Sequence, residues 1–118
     1  MKPLTMPAAA NTNDYQPSVR VRLAIATRDR HTCVYCRRAG IEPCIDHLTP
    51  ASFFAPGTPS VIVNATTNLV CACWGCNSLK GGLDLAGFAR KLLSLGMPKR
   101  TVDALVKRVQ KAANRPLR

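Results

Sequence analysis

At 118 residues the chain has the length of one domain, and its apolar core, once ragged ends are set aside, is small enough to be only marginally stable by itself. Seventeen Lys and Arg against six Asp and Glu give a formal charge of +11, which favours polyanions as partners. The first ten residues contain Pro3, Pro7 and three alanines without a long apolar run, and nothing later suits a bilayer, so the expectation is a cytosolic protein, neither secreted nor membrane-bound.

Residues 1–16, rich in Pro, Ala, Asn and Thr without period, read as a flexible leader. In residues 18–30, Pro17 and Ser18 are start signals and Val21, Ala24 and Ile25 recur at helical spacing, although the V-R-V-R-L alternation also suits a strand. As a helix, this segment offers Arg20, Arg28 and either Arg22 or Arg30 to solvent or phosphate. Cys33-Val-Tyr-Cys36 forms a knuckle followed by Arg37, Arg38 and Gly40, and residues 41–47 read as a strand that Pro43 bends or confines to an edge. Residues 49–60 hold three prolines and a glycine, the composition of a loop, pinned by Phe53 and Phe54.

Residues 61–63 read as a brief extended piece and residues 68–71 as the second strand of a hairpin. A turn of helix follows Cys76 and stops at Gly81 and Gly82. Asp84 caps a helix that runs to about Leu95, with Leu85, Phe88, Leu92 and Leu95 on one side. Pro98 opens a basic amphipathic tail helix carrying Val102, Leu105, Val106 and Val109 on one stripe and Lys99, Arg100, Lys107, Arg108 and Lys111 on the rest.

Six cysteines in a short chain imply either a disulfide framework or a metal site, and a reducing cytosol favours thiolates on a metal. Cys33 and Cys36 form one C-x-x-C and Cys73 and Cys76 a second, with 36 residues between them. One such pair could be a redox dithiol, but two matched knuckles without a βαβ pattern favour a tetrahedral structural zinc. Four thiolates leave no open position, so this zinc holds the fold and does no chemistry; it contributes about 10 kcal/mol or more to folding. Cys44 and Cys71 lie in apolar surroundings and read as small buried hydrophobes, although Cys71 is close enough in sequence to Cys73 to compete for metal.

Between the knuckles stand Ile45-Asp46-His47-Leu48-Thr49-Pro50 and Asn68-Leu69-Val70, and the second knuckle continues as Cys76-Asn77-Ser78-Leu79-Lys80-Gly81. Over residues 28–82 this order resembles the HNH endonuclease family, whose pattern is C-x-x-C, a D-H pair near a proline, N-L-V, and C-x-x-C-N-x-x-K-G. The resemblance implies an α+β fold: a small zinc-stapled ββα-metal unit with flanking helices. It would comprise a nuclease domain over residues 17–97 and a C-terminal helix over 98–118. It further implies that His47 is the general base, that Asn68 braces the loop carrying it and orients the imidazole, and that Asp46 and Asn77 hold a catalytic cation.

The residue types suit phosphodiester hydrolysis, which needs a base for water and a cation on the phosphate oxygens. Neutral imidazole can take a proton from water, and carboxylate and amide oxygens suit Mg²⁺ or Mn²⁺. Family members often carry histidine where this chain has Asn77, an H-N-N variant with a less certain metal preference. His31 lies outside the pattern. Lys80 suits either a helix C-terminus or a phosphate contact. Arg20, Arg28, Arg37, Arg38 and Lys80 are the candidate nucleic-acid contacts, double-stranded DNA is the expected partner, and RNA stays open. The resemblance also suggests a phage or bacterial setting, with a homodimer or a targeting partner. Its competitor is a non-catalytic, zinc-dependent nucleic-acid-binding or assembly module, such as a phage packaging accessory protein.

Overall fold

The computed structural model describes residues 15–117, so residues 1–14 of the expected leader lie outside the described residues. Tyr15, at the end of that leader, is buried with Ala51 and Val63 against Phe54, and its hydroxyl donates to the Thr58 carbonyl at 2.8 Å. Ordered packing thus starts before Pro17, two residues earlier than the composition suggests.

Helix α1 (Val19–Arg28) starts at Ser18, whose hydroxyl accepts from the Val21 amide at 3.2 Å. Helix prevails over the strand alternative because the cap satisfies an otherwise orphaned N–H, and Ile25 and Ala26 fall together on the buried side. Strand β1 (Cys44–His47) begins only after Pro43, whose missing N–H cannot join a ladder, so residues 41–43 stay outside it. It pairs antiparallel with β2 (Leu69–Ala72), Cys44 facing Ala72 and His47 facing Leu69. The connection holds a tight turn at Ala51–Phe53, the short helix α2 (Ser60–Val63) and another turn at Thr66–Asn68. Residues 61–63 are therefore helical, not extended. Pro59 presets the entry to the turn, the Asn64 amide closes it on the Ser60 carbonyl at 2.7 Å, and only Val63 is buried.

Helix α3 (Trp74–Lys80) is capped by Cys73 and stops at Gly81, whose φ of 56° is accessible to glycine without a Cβ penalty. Helix α4 (Leu85–Ser94) starts at Asp84, which accepts from the Gly87 amide at 2.7 Å, and α5 (Lys99–Ala113) follows Pro98. The architecture is thus α+β, with five helices and one two-stranded antiparallel sheet among the described residues. Among these residues no helix is long and apolar enough to cross a membrane.

The last helix is a wall of the core more than a tail. Its Val102, Leu105 and Val109 pack in one cluster with Phe88 and Leu92 of α4, Val70 of β2 and Val34 and Tyr35 of the first knuckle. Tyr35 meets Phe88 edge to face at 5.3 Å between ring centres. Arg108 extends the connection by donating to the Val34 and Tyr35 carbonyls at 3.0 and 2.7 Å.

The outer edge of β2 is closed by the end of α1. Arg28 and Asp29 form an ion pair at 2.8 Å with side chains 1% and 0% exposed. Arg28 donates to Asp29 through Nε and Nη2, to the Leu69 carbonyl through Nη2 at 2.6 Å, and to the Thr66 and Ala113 carbonyls through Nη1 at 2.8 and 3.3 Å. Asp29 in turn accepts from the Cys71 amide at 2.9 Å, and the Val34 amide donates to the Cys71 carbonyl at 3.0 Å. These bonds occupy all five guanidinium N–H groups and protect a strand edge that would otherwise be unpaired. Arg28 is consequently an internal anchor, and the expectation that it contacts nucleic acid is corrected. Arg28→Ala strands a buried carboxylate, and urea denaturation should register a loss of about 3–5 kcal/mol; a loss below about 1 kcal/mol, the size of a surface effect, would contradict the anchor.

Candidate functional site

The two knuckles converge. Sγ atoms of Cys33, Cys36, Cys73 and Cys76 all lie within 4.8 Å of one another, and Cys36 and Cys73 are 3.8 Å apart. A tetrahedral ion with Zn–S bonds of about 2.3 Å separates its sulfurs by about 3.8 Å, so the cluster can hold a metal ion such as zinc. Each knuckle turns an amide toward its first sulfur, from Cys36 to Cys33 at 3.5 Å and from Cys76 to Cys73 at 3.4 Å. The Cys76 amide is the main reason that the Cys73 thiol is lowered to about 7, whereas burial raises Cys33 and Cys76. All six cysteines are free thiols. Cys71 is fully buried outside the cluster, its thiol pushed up to about 12 by burial and then by Asp29, as a small hydrophobe would behave. Half-buried Cys44 also stays outside the cluster.

A separate cleft of about 270 Å³ brings Asp46, His47 and Asn77 to one surface, with Pro50, Ser52 and Gly82 around it. Strand β1 supplies the first two residues and α3 the third, so hairpin pairing and the start of α3 at the second knuckle together determine the cleft.

His47 is held by a residue absent from the expected set. Its Nε2 lies 2.7 Å from Oδ1 of Asn64, just after α2. An amide oxygen only accepts, so Nε2 carries the ring proton and Nδ1 keeps its lone pair. Asn68 does not touch the ring. Its Oδ1 accepts from the Thr49 amide at 2.8 Å, and its Nδ2 donates to the Thr49 and Val63 carbonyls at 3.0 and 2.9 Å. It thereby ties the segment after His47 to the end of α2, and the expectation that it orients the imidazole is corrected: Asn64 makes the hydrogen bond to the ring.

Asp46 is held from inside. Tyr35 Oη donates to its Oδ2 at 2.5 Å, and Lys80 Nζ lies 3.2 Å from Oδ2 and 3.3 Å from Oδ1 while donating to the His47 carbonyl at 2.9 Å. Burial raises the Asp46 carboxyl above its ordinary value, opposed by Lys80 and the Tyr35 hydrogen bond. Burial and then the charge of Asp46 push the Tyr35 hydroxyl upward, so it stays a donor. Lys80 is 1% exposed and cannot reach a phosphate, which corrects its assignment as a nucleic-acid contact. Nor does its ammonium cap α3: it neutralises Asp46 and ties it to the base's own backbone.

Arg20, Arg37 and Arg38 are exposed, as a nucleic-acid contact requires, and His31 is exposed outside the cleft. The sequence offers a weak signal for the two residues it does not single out. Asn64 stands four positions before Asn68, and Tyr35 is the polar aromatic inside the first knuckle. Comparisons with protein-family models, curated proteins and solved structures give no match.

Proposed function

We propose that the chain is a metal-dependent DNA endonuclease of the HNH type, its fold clamped by zinc on Cys33, Cys36, Cys73 and Cys76. The observation that carries this reading is the cleft bordered by Asp46, His47 and Asn77, in which the Asn64 hydrogen bond leaves Nδ1 of His47 available as a base. Such a nitrogen takes a proton from water as that water attacks a phosphorus atom, and Asn64 holds the ring while charge develops on it.

Asp46 and Asn77 border the same cleft, and a carboxylate and an amide are hard oxygen donors of the kind that suit Mg²⁺ or Mn²⁺, with the Asp46 carboxylate itself held by Tyr35 and Lys80. When bound, such a cation supplies positive charge to the phosphate and the leaving 3′ oxygen. Lys80 offsets the carboxylate's charge, so a cation here would take most of its coordination from water and the DNA phosphate. Asn68 keeps the loop after His47 in register. Double-stranded DNA fits the charge of +11, and one site of this kind cuts one strand. A homodimer or a targeting partner would make a double-strand break. The reading places the protein in the cytoplasm of a bacterial or phage-infected cell.

The internal pairing of Asp46 favours a second reading, a zinc-dependent nucleic-acid-binding or assembly module without turnover. Conversion of supercoiled plasmid to open circles with Mg²⁺ or Mn²⁺ separates the two. Nicking by wild type and its loss in His47→Ala support the nuclease; intact plasmid in both, with either metal, leaves the binding module. For the orienting residue, Asn64→Ala should slow nicking about 10–100-fold with little change in KM, as expected for a group acting through the base. Asn64→Asp, which keeps an acceptor facing Nε2, should recover most of that rate.

A further inference from the structure

Away from the cleft, five cations gather between the loop after α1 and the outer side of α5. A cavity of about 200 Å³ is bordered by Arg30, Arg37, Arg108 and Arg115, and an adjoining one of about 440 Å³ by Arg30, Lys111 and Arg115. Arg30 and Arg115 border both, so the two cavities adjoin and together make a basic groove-like face. Arg28 also borders it but has every donor engaged internally. Among the described residues, the single carboxylate at the groove, Asp29, is committed to Arg28. Among the described residues the ion pairs are Arg28–Asp29, Lys80–Asp46 and Lys99–Asp103, so none of the five cations is neutralised in this way. Burial and then the charge of Arg37 lower the pKa of Arg108, a sign that the cluster repels itself.

The backbone turns beside the groove are left-handed: Arg30, His31 and Arg37 have φ of 59°, 51° and 67°, a region that side chains with a Cβ disfavour. Exposed His31 borders neither cavity, whereas Arg30 and Arg37 both border the first, so the turn after α1 and the turn after Cys36 bring two guanidinium groups to cavities that hold three more cations.

We propose that this groove is the surface that takes the sugar-phosphate backbone of duplex nucleic acid, with Arg30, Arg37, Lys111 and Arg115 as its phosphate contacts. Guanidinium forks match phosphate oxygens in pairs, and a row of cations across two joined cavities fits a repeating polyanion better than one small anion. The groove deepens the nuclease reading and rests on it for the choice of nucleic acid. It reassigns the grip from Arg28 and Lys80, which are buried, to the loop after α1, the turn after the first knuckle, and the end of α5 with the residues just past it.

The test uses zinc-loaded full-length His47→Ala protein, so that binding is measured without cleavage, on a fluorescent DNA duplex across a salt series. Adding Arg30→Gly and Arg37→Gly should weaken binding at least about tenfold at 0.1 M salt and lower the slope of log K against log salt by about 1.8, near 0.9 per lost phosphate contact. The Tm should stay level or rise, since glycine relieves the left-handed strain. A control with Arg100→Gln and Lys107→Gln removes the same charge elsewhere on α5 and should change binding far less. Equal losses in both variants would reduce the effect to net charge and overturn the groove, as would an unchanged slope in the glycine variant. Binding of anionic lipid vesicles but not of duplex would also overturn it. Tight, groove-dependent binding by a chain that never nicks plasmid would keep the groove and remove only the nuclease reading.

Discussion

Zinc removal is expected to unfold the whole chain. Two of the four clustered cysteines, Cys33 and Cys73, belong to the main core cluster, and the first knuckle also provides Val34 and Tyr35 to it. Releasing the knuckles therefore frees the Arg108 hydrogen bonds that hold α5 and the Cys73 cap that starts α3. Structural zinc sites contribute about 10–16 kcal/mol at neutral pH, as much as the entire stability of a domain of this size. Chelation, or Cys33→Ser, should abolish the far-UV circular dichroism of the helices, and readdition of Zn²⁺ to the chelated wild type should restore it. Cys44→Ser, outside the cluster, should retain about one zinc per chain. Uptake should release protons, because burial keeps the Cys33 and Cys76 thiols protonated until metal arrives, and affinity should fall as the pH is lowered. A chain that loses its zinc and keeps its helical signal would refute the clamp.

The elements legible in the sequence are those written in local chemistry. Ser18, Asp84 and Pro98 mark helix starts that need no tertiary information, and the two C-x-x-C knuckles announce a cluster because four sulfurs at matched spacing have few other uses. Long-range polar pairing was not legible. Arg28, like exposed Arg20, stands in an arginine-rich segment that suits a solvated basic face, and only the fold carries it to the Leu69 and Ala113 carbonyls. Lys80 follows the second knuckle as a phosphate contact would, yet burial turns it onto Asp46. Likewise, either Asn64 or Asn68 can read as a partner for histidine until the hairpin and α2 are in place, when one meets the ring and the other the backbone. Residues 61–63 resemble a strand in sequence because three β-branched side chains outweigh, in a short window, a turn set by Pro59.

His47→Ala should reduce plasmid nicking about 10²–10⁴-fold under saturating metal and DNA, the usual contribution of a positioned general base. The loss should appear in kcat and leave duplex affinity within about twofold, because the cations proposed to bind the backbone lie in a different groove from the imidazole. That separation gives the experiment its force. A general electrostatic defect would move affinity and its salt slope together, whereas loss of the base moves neither. The double variant His47→Ala with Asn64→Ala adds a further check: if Asn64 acts only by holding the ring, it should be no slower than His47→Ala alone. An additional drop would mean that Asn64 contacts the reacting groups itself. Equal rates for wild type and His47→Ala would show that any nicking arises elsewhere, and the zinc-clamped cleft would then be a binding surface without turnover.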